Sequence, residues 1–356
     1  MKNEIFLSKR KLGCFFLNYS LFLLLLKLSS TETEKALRNL NNVDSEIHLV
    51  VKQGYFYLSK EYGGDKPKKI IVNGGEEMDY SDYYYVGEEK NYITLKFDVQ
   101  IKSCINMFKN LNNIIEIDLS DFDMSQVTSM KYMFAECYSL ESIDLSNLNI
   151  SNVKDISYMF YYCDNLKYIN LTNINISSVE DMSYLFYGCG NLTSIDLSNL
   201  DISKVTNIQK IFYYPIHLQY INLTNINLSS VEDMSYLFYG CNNLISIDLS
   251  SLEFSNVKDI SFMLSNCHNL KYINLTNINT SSVENMSHLF QGCYSLESID
   301  LSSLDNSNVK DISNMLCNCS NLKFINLTNI KLTSLENMSY LFYNCKSLIS
   351  IDLSDI

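Results

Sequence analysis

After Arg38 the chain contains no arginine, and its net charge is −13. Reading base edges and neutralising a phosphate backbone both need clustered cationic side chains, so these two facts argue against a nucleic-acid partner. No C-x-x-C occurs, which removes the usual zinc-binding spacing, and no metal or cofactor is expected. The Gly-Gly-x-Gly-x-Asp pattern of calcium-binding coils is missing too. Histidine is scarce: His48, His217, His268 and His288 stand in different columns or regions with no partner repeated around them. A Ser/His/Asp set can always be assembled from so many Ser and Asp, but periodicity explains those residues better, so no catalytic residue is assigned and no enzyme is expected. Nor does a second apolar run of membrane-spanning length follow the N-terminal one, so the sequence as given offers no C-terminal anchor.

What the sequence does have is a period of 26. Phe-x-x-Cys recurs at Phe134/Cys137, Phe160/Cys163, Phe186/Cys189, Phe238/Cys241, Phe290/Cys293 and Phe342/Cys345. Leu264/Cys267 and Leu316/Cys319 keep the spacing with Leu for Phe, Pro215 stands where Cys is expected after Phe212, and Phe108 with Leu111 opens the series. A constant period without insertions marks a solenoid, whose units bury an apolar face only by stacking on neighbours. Within a unit, Leu140, Ile143 and Leu145 read as a short strand with Ser142, Asp144 and Ser146 outward. Ile156, Met159, Phe160 and Cys163 follow at i, i+3, i+4, i+7, the spacing of one helical face, with Asp155 (and Asp181, Asp233, Asp259 and Asp311 in later copies) as its N-cap. The fold class expected is an α/β solenoid. It is a leucine-rich-repeat-like stack of 26-residue coils with a parallel β-sheet on one face, short helices on the other and a small β capping unit in front.

The pattern L-x-x-I-x-L-x-x-L followed by Phe and Cys resembles leucine-rich repeats, and the run NVxDMSYMFYGCxxLxSIDLSN is similar to the 26-residue repeat of BspA-like surface proteins. The resemblance covers Phe108 to the end. It implies a secreted or cell-surface protein concerned with adhesion and protein binding.

Residues 1–30 read as a signal sequence: Lys2, Lys9, Arg10 and Lys11 precede an apolar stretch from Leu12 to Leu26, and an uncleaved signal anchor is the alternative. Residues 31–45 are polar and charged, as in a flexible linker. Residues 46–100 hold short runs rich in Val, Ile, Tyr and Phe between glycine pairs, the pattern of a small antiparallel β unit that caps the solenoid. Residues 101–356 are then about ten solenoid units.

A longer regularity overlies the period, because strand centres alternate Asp144, Asn170, Asp196, Asn222, Asp248, Asn274, Asp300, Asn326. Adjacent like charges at strand spacing repel, and an intervening Asn both separates and bridges them. Beside this column Ser142, Tyr168, Ser194, Tyr220, Ser246, Tyr272, Ser298 and Phe324 alternate small with aromatic. Tyr168, Tyr220, Tyr272, Phe324, Asp144, Asp196, Asp248 and Asp300 are therefore the candidate binding residues, weighed against a merely solvated sheet. Asn170, Asn175, Asn222, Asn227, Asn274 and Asn326 lie in N-x-S/T sequons and are candidate glycosylation sites. The cysteine column lies on the apolar face, where free Cys behaves as a small buried hydrophobe, so no disulfide framework is expected; Cys104 and Cys317 stand outside it.

These readings point to a non-catalytic secreted or cell-surface protein that binds a protein or glycan partner through its strand face. A structural coat or spacer without a specific ligand is one alternative, and an intracellular repeat scaffold is another. Because the strand at Ile351 is followed by no helix, self-association through an uncapped C-terminal coil is a further expectation.

Overall fold

The structure is a computed structural model that describes residues 45–351, apart from 253, 329, 330 and 350. The expected signal sequence and all but the last residue of the expected linker lie outside the described residues.

The described chain opens with four strands, β1 (Ser45–Phe56), β2 (Lys69–Val72), β3 (Met78–Asp79) and β4 (Tyr84–Phe97). Together with β5 (Ile114–Asp118) they form an antiparallel sheet of order β3-β2-β4-β1-β5. Alternation drives it: Ile47, Leu49 and Val51 on β1 and Ile93, Leu95 and Phe97 on β4 are all buried, and their neighbours point outward. β5 sits at the 26-residue spacing of the strands that follow and receives Glu141 N–H through the Ile115 carbonyl at 3.0 Å, so this sheet runs directly into the first coil.

Eight three-residue strands follow at a constant interval, β6 (Ser142–Asp144), β7 (Tyr168–Asn170), β8 (Ser194–Asp196), β9 (Tyr220–Asn222), β10 (Ser246–Asp248), β11 (Tyr272–Asn274), β12 (Ser298–Asp300) and β13 (Phe324–Asn326). They delimit seven coils of a β-solenoid. Their central isoleucines and the leucines that flank them fill the interior, while the first and third residues face out. Parallel ladders close two by two, β6 with β7, β8 with β9, β10 with β11 and β12 with β13. The alternation of Ser-Ile-Asp with Tyr-Ile-Asn is thus matched by the backbone.

The side opposite the strands is not helical, and here the sequence expectation is corrected. Residues 156–163 form overlapping turns: Met159 N–H donates to Ile156 O at 3.3 Å, Tyr161 N–H to Tyr158 O at 3.1 Å and Cys163 N–H to Phe160 O at 3.1 Å. The intervening N–H groups point along the stack, from Ile156 to Asp181 O (3.0 Å), Tyr158 to Ser183 O (2.9 Å), Phe160 to Leu185 O (3.0 Å) and Tyr162 to Tyr187 O (2.8 Å). The coils beginning at Met130, Met182, Met234, Ile260, Met286 and Ile312 repeat the bonds along the stack, whereas the coil at residues 208–215 keeps only those from Phe212 to Leu237 O (3.1 Å) and Tyr214 to Tyr239 O (2.9 Å). A helix with its side chains is about 10 Å across, whereas coils stack at strand spacing, roughly 4.8 Å. A turn ribbon one chain thick fits that spacing and still satisfies its backbone.

The ribbon needs left-handed residues at two columns. Tyr132, Tyr158, Tyr184, Lys210, Tyr236, Phe262, His288, Asn314 and Tyr340 have φ between 55° and 59°, and four residues on come Glu136, Tyr162, Gly188, Tyr214, Gly240, Asn266, Gly292, Asn318 and Asn344. Non-glycine residues pay about 1–2 kcal/mol each for this conformation. Interior packing offsets it, since fully burying a Phe side chain contributes about 1.5–3 kcal/mol. Phe108, Phe134, Phe160, Phe186, Phe212 and Phe238 form one buried stack with centroids 5.5–5.8 Å apart. At Gly188 and Gly240 the space of the absent Cβ is taken by the rings of Tyr162 and Tyr214 from the preceding coil.

Asp155 caps no helix. Its Oδ1 accepts from Ser157 N–H at 2.9 Å and Ser157 Oγ at 2.6 Å, closing an Asx turn, and Asp181, Asp233, Asp259 and Asp311 accept from the residue two places on in the same way.

The cysteines among the described residues are free. Cys163 Sγ donates to Phe134 O at 3.0 Å and Cys189 Sγ to Phe160 O at 3.1 Å, each reaching back to the previous coil. Cys104 and Cys317, outside that column, are buried as well.

Candidate functional site on the strand face

β7, β9 and β11 each begin with a tyrosine whose neighbours in the coils on either side are serines, and β13 begins with Phe324, beside Ser298 of the preceding coil. Tyr168, Tyr220, Tyr272 and Phe324 are accordingly 57%, 59%, 69% and 58% exposed, large apolar rings standing on a regular sheet. They make one line, spaced two strands apart, roughly 9.6 Å. Ser142, Ser194, Ser246 and Ser298 form the gaps between them.

Two residues along the strands runs the polar line. Asn170 Nδ2 donates to Asp144 Oδ2 at 3.2 Å, and Asn222, Asn274 and Asn326 hydrogen-bond Asp196, Asp248 and Asp300 in turn. The Ser146 hydroxyl and N–H, with Asn170, hold the Asp144 carboxyl below the ordinary carboxylate range. Ser250 and Ser302 do the same for Asp248 and Asp300. At Asp196 desolvation opposes the shift, and the Ser198 hydrogen bonds overcome it. All four carboxylates are therefore charged acceptors at neutral pH, presented to solvent.

The sequon asparagines fall into two groups. Asn170, Asn222, Asn274 and Asn326 are half-buried, and each accepts through Oδ1 from the threonine hydroxyl two residues on, at 2.7–2.8 Å. Their amide nitrogens already serve the Asp ladder. Asn175 and Asn227 are exposed and lie on the turns past the strands.

Beyond the strand face, the structure brings together tyrosines on the turn ribbon that sequence reasoning did not single out. Tyr161, Tyr187, Tyr213 and Tyr239 stack at 5.0, 4.8 and 4.7 Å, and Lys210 lies over the rings of Tyr184, Tyr213 and Tyr236 at 5.2–5.7 Å. The 26-residue recurrence of those tyrosines was the available signal. Their ring faces are used up against each other, whereas the strand-face rings have no ring partner among the described residues. Along the flanks, Lys154 pairs with Glu180 at 3.0 Å, Lys258 with Glu232 at 2.7 Å and Lys310 with Glu284 at 2.6 Å, the exposed charge ladder of successive coils. Among the described residues no group of three or more His, Cys, Asp or Glu is placed to hold a metal ion, and no helix is long and apolar enough to cross a membrane.

Among solved structures, the crystal structure of a TLR13–ssRNA13 complex is similar to this chain at 14% identity and a TM-score of 0.26, over 58% of this chain and 35% of that one. The chain thus spans about a third of that protein's length. No curated protein matches the sequence. One family model matches it three times in overlapping windows, residues 88–193, 163–272 and 242–355, which together take in the solenoid and most of the chain. The chain belongs to the family described as Mycoplasma protein of unknown function, DUF285.

Proposed function

We propose that this is a non-catalytic binding protein of the BspA-like kind, secreted or displayed at a cell surface, that engages a protein or glycan through its strand face. The observation that carries the reading is the line of four exposed aromatic rings on a sheet held by backbone ladders and Asx turns. Rigid aromatic side chains offer large contact area with little rotamer entropy to lose on binding, and they dominate binding energy at interfaces. The strand face is favoured over the tyrosine-rich turn side because its rings are well exposed and are not stacked on one another. The basic N-terminal run followed by apolar residues supports the surface location.

The test is the combined change Tyr168→Ser, Tyr220→Ser and Tyr272→Ser, with binding of labelled protein measured on cell surfaces and on a glycan array. Binding is expected to fall at least tenfold, which is about 1.4 kcal/mol, with circular dichroism and melting temperature nearly unchanged. A folded triple variant that binds as the parent does would favour a spacer role.

A further inference from the structure

The strand face is complementary to itself, and we infer that its partner is the same face of a second copy, turned end for end. This rests on the strand face being the binding face.

Consider a twofold axis running along the strands and passing between β9 and β10. It leaves the strand direction unchanged, reverses the order of coils, and lays β6 over β13, β7 over β12, β8 over β11 and β9 over β10. Each Tyr-Ile-Asn or Phe-Ile-Asn strand then meets a Ser-Ile-Asp strand, because eight strands of two alternating types have opposite types at mirrored positions. Tyr220 stands over Ser246 of the second copy, Tyr272 over Ser194 and Tyr168 over Ser298. Rings enter serine gaps of matching period instead of meeting rings. In the polar column every asparagine faces an aspartate, an amide donor against a carboxylate with unfilled lone pairs.

In the column just before the strands, the four charged residues nearest its two ends obey the same symmetry, while Thr193 faces Lys271 and Gln219 faces Ile245. Lys167 pairs with Glu141 at 3.1 Å and Lys323 with Glu297 at 2.7 Å within one chain. The proposed axis sets Lys167 against Glu297 and Lys323 against Glu141 of the other copy, so each ion pair meets its inverse. An axis through a strand, by contrast, would set ring on ring and carboxylate on carboxylate, which repel. A globular partner without this period can occupy one or two gaps, whereas only a chain of the same period and opposite phase fills the line. A twofold contact of this type is closed, so the product is a dimer and not a filament.

The experiment is sedimentation velocity on the full chain over a concentration series reaching roughly 100 μM, a range that registers dissociation constants well into the micromolar. The parent is expected to show a concentration-dependent monomer–dimer equilibrium. Ser194→Tyr with Ser246→Tyr keeps every existing ring but fills two gaps, and should weaken the dimer at least tenfold. Lys167→Glu with Lys323→Glu removes the charge match without touching the ring line and should weaken it too, more at low salt than at high. Circular dichroism confirms that each variant is folded. A parent that stays monomeric throughout, or a folded gap-filled variant that dimerises as tightly as the parent, overturns the inference. If the parent is monomeric yet binds cells in a tyrosine-dependent way, the binding function stands and only the self-partner falls.

Discussion

At the scale of single residues, the cysteine column has an acid–base consequence. Burial pushes the Cys137 and Cys104 thiols from an ordinary 9.0 up to about 12. Unfolded, the same thiols ionise first, so above pH 9 the unfolded chain binds fewer protons than the native one. Their contribution to stability is therefore complete below pH 9 and is lost as pH rises toward 12. Urea midpoints measured from pH 7 to 10.5 should hold level and then fall, and native protein at pH 9 should resist thiol alkylation at Cys137, Cys163 and Cys189 until urea is added. Rapid alkylation of those three residues in the native state would contradict the burial that the argument uses.

At the scale of the element, the strand ladder depends on the alternation of charge. Asn274→Asp would place three carboxylates, with Asp248 and Asp300, on consecutive coils. A loss of about 1–2 kcal/mol at pH 7 is expected from like charges at strand spacing. The difference should shrink on acidification. The parent's Asp248, held below its ordinary value by Ser250, gives up stability as pH falls through that range, while the variant gains relief from repulsion. Parallel pH profiles for parent and variant would show that the ladder is not electrostatic. This ladder could be read from the order of Asp and Asn, but the pairing of strands in twos could not: the single parallel sheet expected from the repeat resolves into two-stranded ladders. Nor could the turn ribbon. Ile156, Met159, Phe160 and Cys163 lie inward in a helix and in overlapping turns alike, because both return the chain to the core every three or four residues. The discriminating signal was the column of Gly188, Gly240 and Gly292 with Asn266, Asn318 and Asn344, residues that tolerate left-handed backbone. Tyr158 and Tyr184 masked it, since tyrosine seldom adopts that conformation and does so here only because neighbouring coils over-determine it. For the candidate site, the exposed ring line followed directly from the Ser/Tyr alternation, while the end-for-end symmetry emerges only when the strands are set side by side.

At the scale of the whole molecule, stability is a sum over neighbouring coils and not over distant contacts. The turn-ribbon bonds from Ile156, Tyr158, Phe160 and Tyr162 all run along the stacking axis, and so do the equivalent bonds of the other coils, of which the coil at residues 208–215 keeps two, from Phe212 and Tyr214. Under a pull along that axis they are loaded in series, coil after coil, and not shared in parallel as in a sheet sheared along its strands. A chain tethered at one surface and gripped at another would therefore lengthen by shedding single coils at modest and nearly equal forces. Each released coil of 26 residues adds roughly 90 Å of contour at the reach of an extended chain. Single-molecule stretching should record a regular sawtooth with that spacing, and one abrupt rupture of the whole solenoid would show that the coils share load. Strain along the stack would then be dissipated in small steps, one coil interface at a time.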